Sequence, residues 1–255
     1  MLPNSFKPKK TYELTRLGSE NDGGYLVCPY SILISKYLLS FGLGNDWNFE
    51  KDFHKKNNCK FYLFDVKINN YFWLKNILKL FEKLFKKKIK YKKLIREISN
   101  NLDCKKLLNN DNIRYFERAI ARDGQNNNLS SLIKEFNLSD SIFLKIDIEG
   151  SEYRVLDQII EHESLITGIA IEFHDVDLHK IKIDKFINSL KLLKLIHIHP
   201  NNANNLCSQG DPTTLEMSFG ICPKIISNQV KLPHFLDKKT NEKNADHYLV
   251  FENNI

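Results

Sequence analysis

The segment Leu144–Leu156, LKIDIEGSEYRVL, sets two carboxylates, Asp147 and Glu149, at alternate positions where an apolar run gives way to a helical pattern. Alternate residues of a strand share one face, so these acids and Lys145 form a charged patch. Burying such a patch requires a ligand, a cation or a basic neighbour. A salt-bridged or helix-capping pair is the plainer account of the same residues. Further along, IEFHD supplies Glu172, His174 and Asp175, and HIHPNN supplies His197 and His199 on one strand face, followed by Asn201 and Asn202. Histidine titrates near neutrality and can take a proton from a hydroxyl. His174 is the favoured base, His199 a second candidate, with Asp147, Glu172 and Asp175 available to orient the ring. Alternatively, Asp147, Glu172 and His174 or His199 could hold Mg²⁺ or Mn²⁺, which would acidify a hydroxyl and orient a diol. Any one such histidine is more often packed or solvated; three at successive strand ends shift the balance.

A second group lies earlier. In SFGLGND, Gly42 and Gly44 follow an apolar run and let backbone N–H groups approach a ligand, while Asp46 could meet an amino group. Asp65 ends the next run about twenty residues on, where an acid can accept hydrogen bonds from ribose hydroxyls. Asp123, before Gly124, is placed to face an adenine edge, although Asp-Gly is also a common turn pair. Trp47 stands where a dinucleotide fold needs its third glycine, which disfavours a dehydrogenase.

These residues sit after short apolar runs that alternate with helix-like stretches: 37–43, 60–66, 113–121, 142–148, 168–174 and 193–199. The alternation predicts an α/β fold with a mostly parallel sheet and helices on both faces. EMSFGI (216–221) and HYLVF (247–251) could add an antiparallel C-terminal edge. After Gly150 and Ser151, which permit a turn, Tyr153, Leu156 and Ile160 predict a helix with one apolar stripe. Ligands of such sheets bind beyond the carboxyl ends of the strands, where the polar residues lie.

LKIDIEGSEYRVL resembles the K-[IV]-D-[IV]-E-G-x-E signature of FkbM-type methyltransferases, and the resemblance runs over roughly Leu38–Asp175. It implies a class I methyltransferase (Rossmann-like) fold, S-adenosyl-L-methionine as cofactor, and O-methylation of a hydroxyl on a sugar, macrocycle or other natural product. Gly42, Gly44, Asp46, Asp65, Asp123, Asp147 and Glu149 then become cofactor-side residues. RLGSENDGGYLV (16–27) is similar to a segment that lies near the cofactor in one branch of the family, which brings in Asp22 and Tyr25. The glycine loop departs from the family pattern, with Ser40 in place of an acid. The implied acceptor is a nucleotide-activated sugar or a bacterial surface-glycan precursor such as one for capsule polysaccharide.

With 255 residues, the chain fits one domain (1–255) carrying a basic helical insertion at 67–112. No apolar run has secretory or membrane-spanning length, which predicts a cytoplasmic protein, and five scattered cysteines without a C-x-x-C pair read as reduced thiols. Much of the +7 net charge sits between Lys67 and Arg96. There Leu74, Ile77, Leu78, Phe81, Leu84 and Phe85 keep helical spacing, predicting an amphipathic basic helix over 71–98. Such a helix is open to packing on the body, a homodimer seam, an anionic acceptor or a membrane surface. Nucleic acid is disfavoured, because the aromatics join the apolar stripe rather than interleave with lysines. Tyr71 and Lys75 have the Y-x-x-x-K spacing of short-chain dehydrogenases, but they fall in the insertion instead of on a later helix. The competing class is a non-catalytic module with this fold that binds an anionic glycan or membrane surface.

Overall fold

The computed structural model describes residues 1–44, 46–66, 70–86, 91–121 and 127–252. Seven strands form one sheet: β1 (Tyr37–Phe41), β2 (Lys60–Phe64), β3 (Ile113–Phe116), β4 (Ile142–Ile146), β5 (Ile166–Phe173), β6 (Lys194–Pro200) and β7 (Leu215–Gly220). Their order is β3-β2-β1-β4-β5-β7-β6. Neighbours from β3 to β5 pair in parallel, and β7 runs antiparallel to both β5 and β6. This is the α/β class I methyltransferase fold that the resemblance implied, with its antiparallel part at the β5–β7–β6 end.

Helices α1 (Pro29–Ile34), α2 (Asn48–Lys56), α3 (Asn70–Phe85), α4 (Tyr91–Leu108), α5 (Leu129–Glu135), α6 (Leu156–Glu161) and α7 (Val176–Ser189) complete the layers. Local chemistry sets their ends. Pro29 occupies the first turn of α1, and α5 starts with a reciprocal Asn128–Ser131 capping box.

The period-two alternation of the strands divides the core. One face packs Leu39, Phe41, Leu144, Ile146, Ile169, Ile171 and Phe173 with residues of α5 to α7. The other packs Leu38, Phe61, Leu63, Phe143 and Ala170 against Phe49 and Phe53 of α2. Each buried phenylalanine contributes about 1.5–3 kcal/mol. Along this second face the residues change character toward the carboxyl ends: Leu38 is followed by Ser40, Leu63 by Asp65, Phe143 by Lys145 and Asp147, and Ala170 by Glu172. The apolar half anchors the face, and the charged half opens onto the strand ends.

Three local expectations are revised. HYLVF forms no strand; Phe251 makes only an isolated parallel bridge to Leu2, because β6 and β7 already complete that end of the sheet. The helix after Gly150 is split into a single turn, Glu152–Arg154, and α6, since Glu152 turns back to cap the loop before it. The basic insertion is two helices, α3 and α4, rather than one over 71–98: α3 ends at Phe85 and α4 starts at Tyr91. Residues 122–126, with Asp123, lie outside the described residues.

Candidate active site

Gly42 has φ +82°, and a Cβ there would meet the Asp147 carbonyl oxygen at 1.7 Å, so only glycine lets the loop after β1 cross the end of β4. Its carbonyl accepts a hydrogen bond from Lys145 Nζ at 2.5 Å. The Gly44 N–H donates to Asp65 Oδ2 at 2.8 Å, tying the loop to β2, and open space lies above Gly44. Asp46 holds the loop itself: Oδ1 accepts from the Asn48 N–H at 2.9 Å and Oδ2 pairs with the Ser19 hydroxyl. Thus the carboxylate expected to meet an amino group already has two partners. Ser40, where the family has an acid, donates to Glu50 Oε1 at 2.6 Å. Glu50 is fully buried, and burial pushes its carboxyl up against the pull of Lys145. A carboxylate from α2 therefore reaches the β1 position from the side.

The sheet register assembles the other half. Glu216 of β7 lies opposite both Glu172 of β5 and His199 of β6. Asp147 follows Ile146, which pairs with Ile171, so Asp147, Glu172, Glu216 and His199 form a row across four strand ends. Tyr25 closes over it from the hairpin of Thr15–Leu17 and Tyr25–Val27, its hydroxyl 3.4 Å from both Asp147 Oδ2 and Glu172 Oε2. Asn201 Nδ2 donates to Glu172 Oε1 at 2.7 Å, and Lys145 Nζ lies 3.4 Å from Asp147 Oδ2. Asp147, Glu172 and His174 each offer one ligand atom, all within 4.8 Å of one another.

Negative charge is in excess here. Burial, then Asp147 and Glu216, push the Glu172 carboxyl up to about 8. Asp22 is likewise pushed up, by burial and by Asp147, Glu216 and Asp46. Tyr25 is held well above its ordinary range by burial and by Asp147, Glu172, Glu216 and Asp22. Burial works to lower His174, but the hydrogen bond it donates to Glu152 and the charges of Glu152, Glu172 and Asp147 outweigh it and hold the imidazole at about 9. Lys145 follows the same logic: burial opposes its charge, and Asp147 and Glu50 restore it.

Glu152, which sequence reasoning passed over, organises this corner. Oε1 accepts from the Ile148 and Gly150 N–H groups at 3.1 Å each and lies 3.1 Å from His174 Nδ1. The last acid of E-G-x-E thus fixes both the turn and the ring. Glu149 (φ +54°) projects outward, with Oε2 3.6 Å from His174 Nε2. Asp175, expected to help orient the base, precedes α7 in a left-handed conformation. The remaining histidines sit deeper on β6. His197 Nε2 lies 2.8 Å from Asp237 Oδ1, and His199 Nδ1 lies 3.5 Å from Glu216 Oε2, with both rings buried. His199 joins the acidic row through Glu216, while His197 belongs to a separate packed pair. The only advance sign of Glu216 was the EMSFGI run, and nothing local gave its register.

The family described as Methyltransferase FkbM domain matches residues 35–193, more than half of the chain. Among curated protein sequences, none matches. Solved structures that match the chain include an rRNA methylase from Streptococcus thermophilus, at 9% identity and TM-score 0.38, covering 76% of this chain and 92% of that one. A precorrin-6y C5,15-methyltransferase from Geobacter metallireducens GS-15 has 12% identity and TM-score 0.39, covering 75% and 84%. Sp1610 of Streptococcus pneumoniae, in complex with S-adenosyl-L-methionine, has 10% identity and TM-score 0.37, covering 80% and 72%.

Proposed function

Since the chain belongs to the FkbM methyltransferase family and is an S-adenosyl-L-methionine-dependent methyltransferase, we propose that it methylates a sugar hydroxyl of a surface-glycan precursor or nucleotide-linked sugar in the cytoplasm. The observation that carries this reading is the convergence of Asp147, Glu172 and His174 beside the Gly42–Asp65 loop. The loop side takes the nucleoside: Gly42 and Gly44 admit it closely, Asp65 faces the ribose, and Asp22 and Tyr25 close over the sulfonium. The row of carboxylates supplies hydrogen-bond acceptors for a hydroxyl-rich acceptor.

Methyl transfer is an in-line displacement: the acceptor oxygen bonds to the methyl carbon, the carbon–sulfur bond breaks, and its electron pair stays on sulfur as the thioether of S-adenosylhomocysteine. The hydroxyl proton passes to His174 Nε2, because Nδ1 is engaged by Glu152. The neighbouring acids Glu152, Glu172 and Asp147 favour the protonated form of His174. A sulfonium held beside Asp147 and Glu172 would add positive charge near His174, which would favour the neutral, proton-accepting imidazole.

A second reading is supported by the same three ligand atoms. Their mixed nitrogen and oxygen set could hold Mg²⁺ or Mn²⁺, which would lower the pKa of an acceptor hydroxyl and orient it. Activity lost on chelation and restored by either ion would favour it over His174 acting alone.

Titration calorimetry with S-adenosyl-L-methionine, followed by transfer of a labelled methyl group to candidate sugar nucleotides and glycans, tests the proposal. Cofactor binding and an ether-linked methyl are expected. Absence of cofactor binding would favour a non-catalytic module, and label on nitrogen would exclude O-methylation.

A further inference from the structure

The α3–α4 insertion is fixed to the body at one end. Near the C-terminus of α4, Cys104 is fully buried, Leu107 and Leu108 pack with the cluster around Phe53 and Phe61, and Asp103 lies 3.1 Å from Lys51 Nζ of α2. Beyond that end, several of the described apolar side chains face solvent. On α3, Leu78, Phe81 and Phe85, at i, i+3 and i+7, are 60%, 42% and 84% exposed; on α4, Tyr91, Ile95 and Leu102 are 66%, 51% and 55% exposed. Exposed lysines, among them Lys75, Lys79 and Lys86, border this surface. Residues 71–98 carry ten lysines and arginines against two acids, whereas the whole chain is only +7, so everything outside the insertion is close to neutral.

An occupant must be both anionic and apolar. A nucleic-acid backbone satisfies the lysines and leaves Leu78, Ile95 and Leu102 in water. A second copy covers the apolar residues but sets two strongly basic surfaces together. An anionic bilayer meets both demands, with headgroup phosphates for the lysines and the acyl boundary for the apolar side chains. Among the described residues no helix is long and apolar enough to cross a membrane, which fits a helix pair lying in the interface. We infer that the α3–α4 insertion docks this protein on an anionic lipid surface, with Leu78, Phe81, Phe85, Tyr91 and Ile95 entering the headgroup boundary. The insertion connects β2 to β3, next to the nucleoside side of the candidate site, so docking sets the site close to the lipid.

The test uses the full chain in vesicle co-sedimentation, comparing pure phosphatidylcholine with phosphatidylcholine containing about 30% phosphatidylglycerol. Binding is expected only with the anionic lipid, and should weaken steeply as salt rises from about 0.05 M to 0.5 M. Phe81→Glu with Phe85→Glu, and separately Lys79→Glu with Lys86→Glu, should each lower the bound fraction by about tenfold or more. Both pairs are exposed, and unchanged affinity for S-adenosyl-L-methionine verifies that each variant is folded. The inference is overturned if the wild type ignores anionic vesicles, if it binds neutral vesicles equally well, or if both variants bind undiminished. A wild-type dimer split by the phenylalanine variant would also overturn it, making the surface a seam between copies.

Discussion

At the β1–β2 end of the site the acids have donors: Asp46 accepts from the Asn48 N–H and Asp65 from the Gly44 N–H. Across β4, β5 and β7 the acids face one another, with Asp147, Glu172 and Glu216 in a row, Asp22 nearby, and one buried lysine among them. The first arrangement is complete before any ligand arrives. The second is electrostatically unbalanced and gains from any cation that enters. A cofactor with a neutral nucleoside end and a sulfonium centre matches both halves, and the contrast separates affinity from chemistry in ways that can be measured.

The sharpest separation is expected from His174→Ala, which removes the proton acceptor and leaves the loop intact. Turnover should fall by about 10²–10⁴-fold, with the dissociation constant for S-adenosyl-L-methionine nearly unchanged; equal losses in both would merge the two halves into one unit. Asp65→Ala should do the reverse. Removing a charge-assisted hydrogen bond costs about 1.5–3 kcal/mol, so cofactor affinity should weaken by roughly ten- to a hundredfold while turnover at saturation holds. If turnover falls instead, the β1–β2 end takes part in the chemistry.

The pH dependence gives a smaller effect. His174, held at about 9, must lose its proton to act as base, so kcat/KM should climb with pH and level off near that value, whereas kcat, which reports the cofactor-bound state, should level off lower. A profile that is flat from about pH 6 to 9 would remove His174 from this role.

Smallest is the effect on stability. Glu172 is raised in the folded state, so between its ordinary range and about 8 the folded protein holds a proton that the unfolded chain has released. His174 does the same between its ordinary value and about 9. Both make the cofactor-free protein less stable as pH rises through these windows. Calorimetric scans should show Tm falling from pH 6 to 9, and Glu172→Gln, which stays neutral and keeps an acceptor for Asn201, should flatten the decline. An equally steep decline in the variant would mean that Glu172 does not report the imbalance.

Much of this was legible in the sequence because it is local. Strand, glycine loop, strand and acid are read from spacing, and the period of two that puts Lys145 and Asp147 on one face also carries Phe143 into the core. Glu172 and His174 follow the same rule on β5. What was hidden depends on chain reversal and distant pairing. Glu152 reaches His174 only because a tight turn at Gly150 brings it back, and helical periodicity has no means of showing that. Glu216 enters the row through a register with β5 and β6 that no neighbouring residue encodes. Glu50 of α2 hydrogen-bonds Ser40, the position where the family has an acid, a pairing between elements that the loop sequence does not show. The insertion divides into α3 and α4, a boundary that helical spacing over 71–98 does not mark.

The placement of β7 also bears on how the molecule is made. β6 precedes it in the chain, yet in the main sheet its neighbour among the described residues is β7 alone. During synthesis β6 therefore emerges with no edge to join until residues 215–220 have followed it. The parallel core from β3 to β5 can form from chain already made, while the far end waits for one late strand to enter between two earlier ones. Glu216 arrives with that strand, so the acidic row cannot close before residues 215–220 are in place. A nascent chain stalled before that point would carry the Gly42–Gly44 loop without the complete row of Asp147, Glu172, Glu216 and His199.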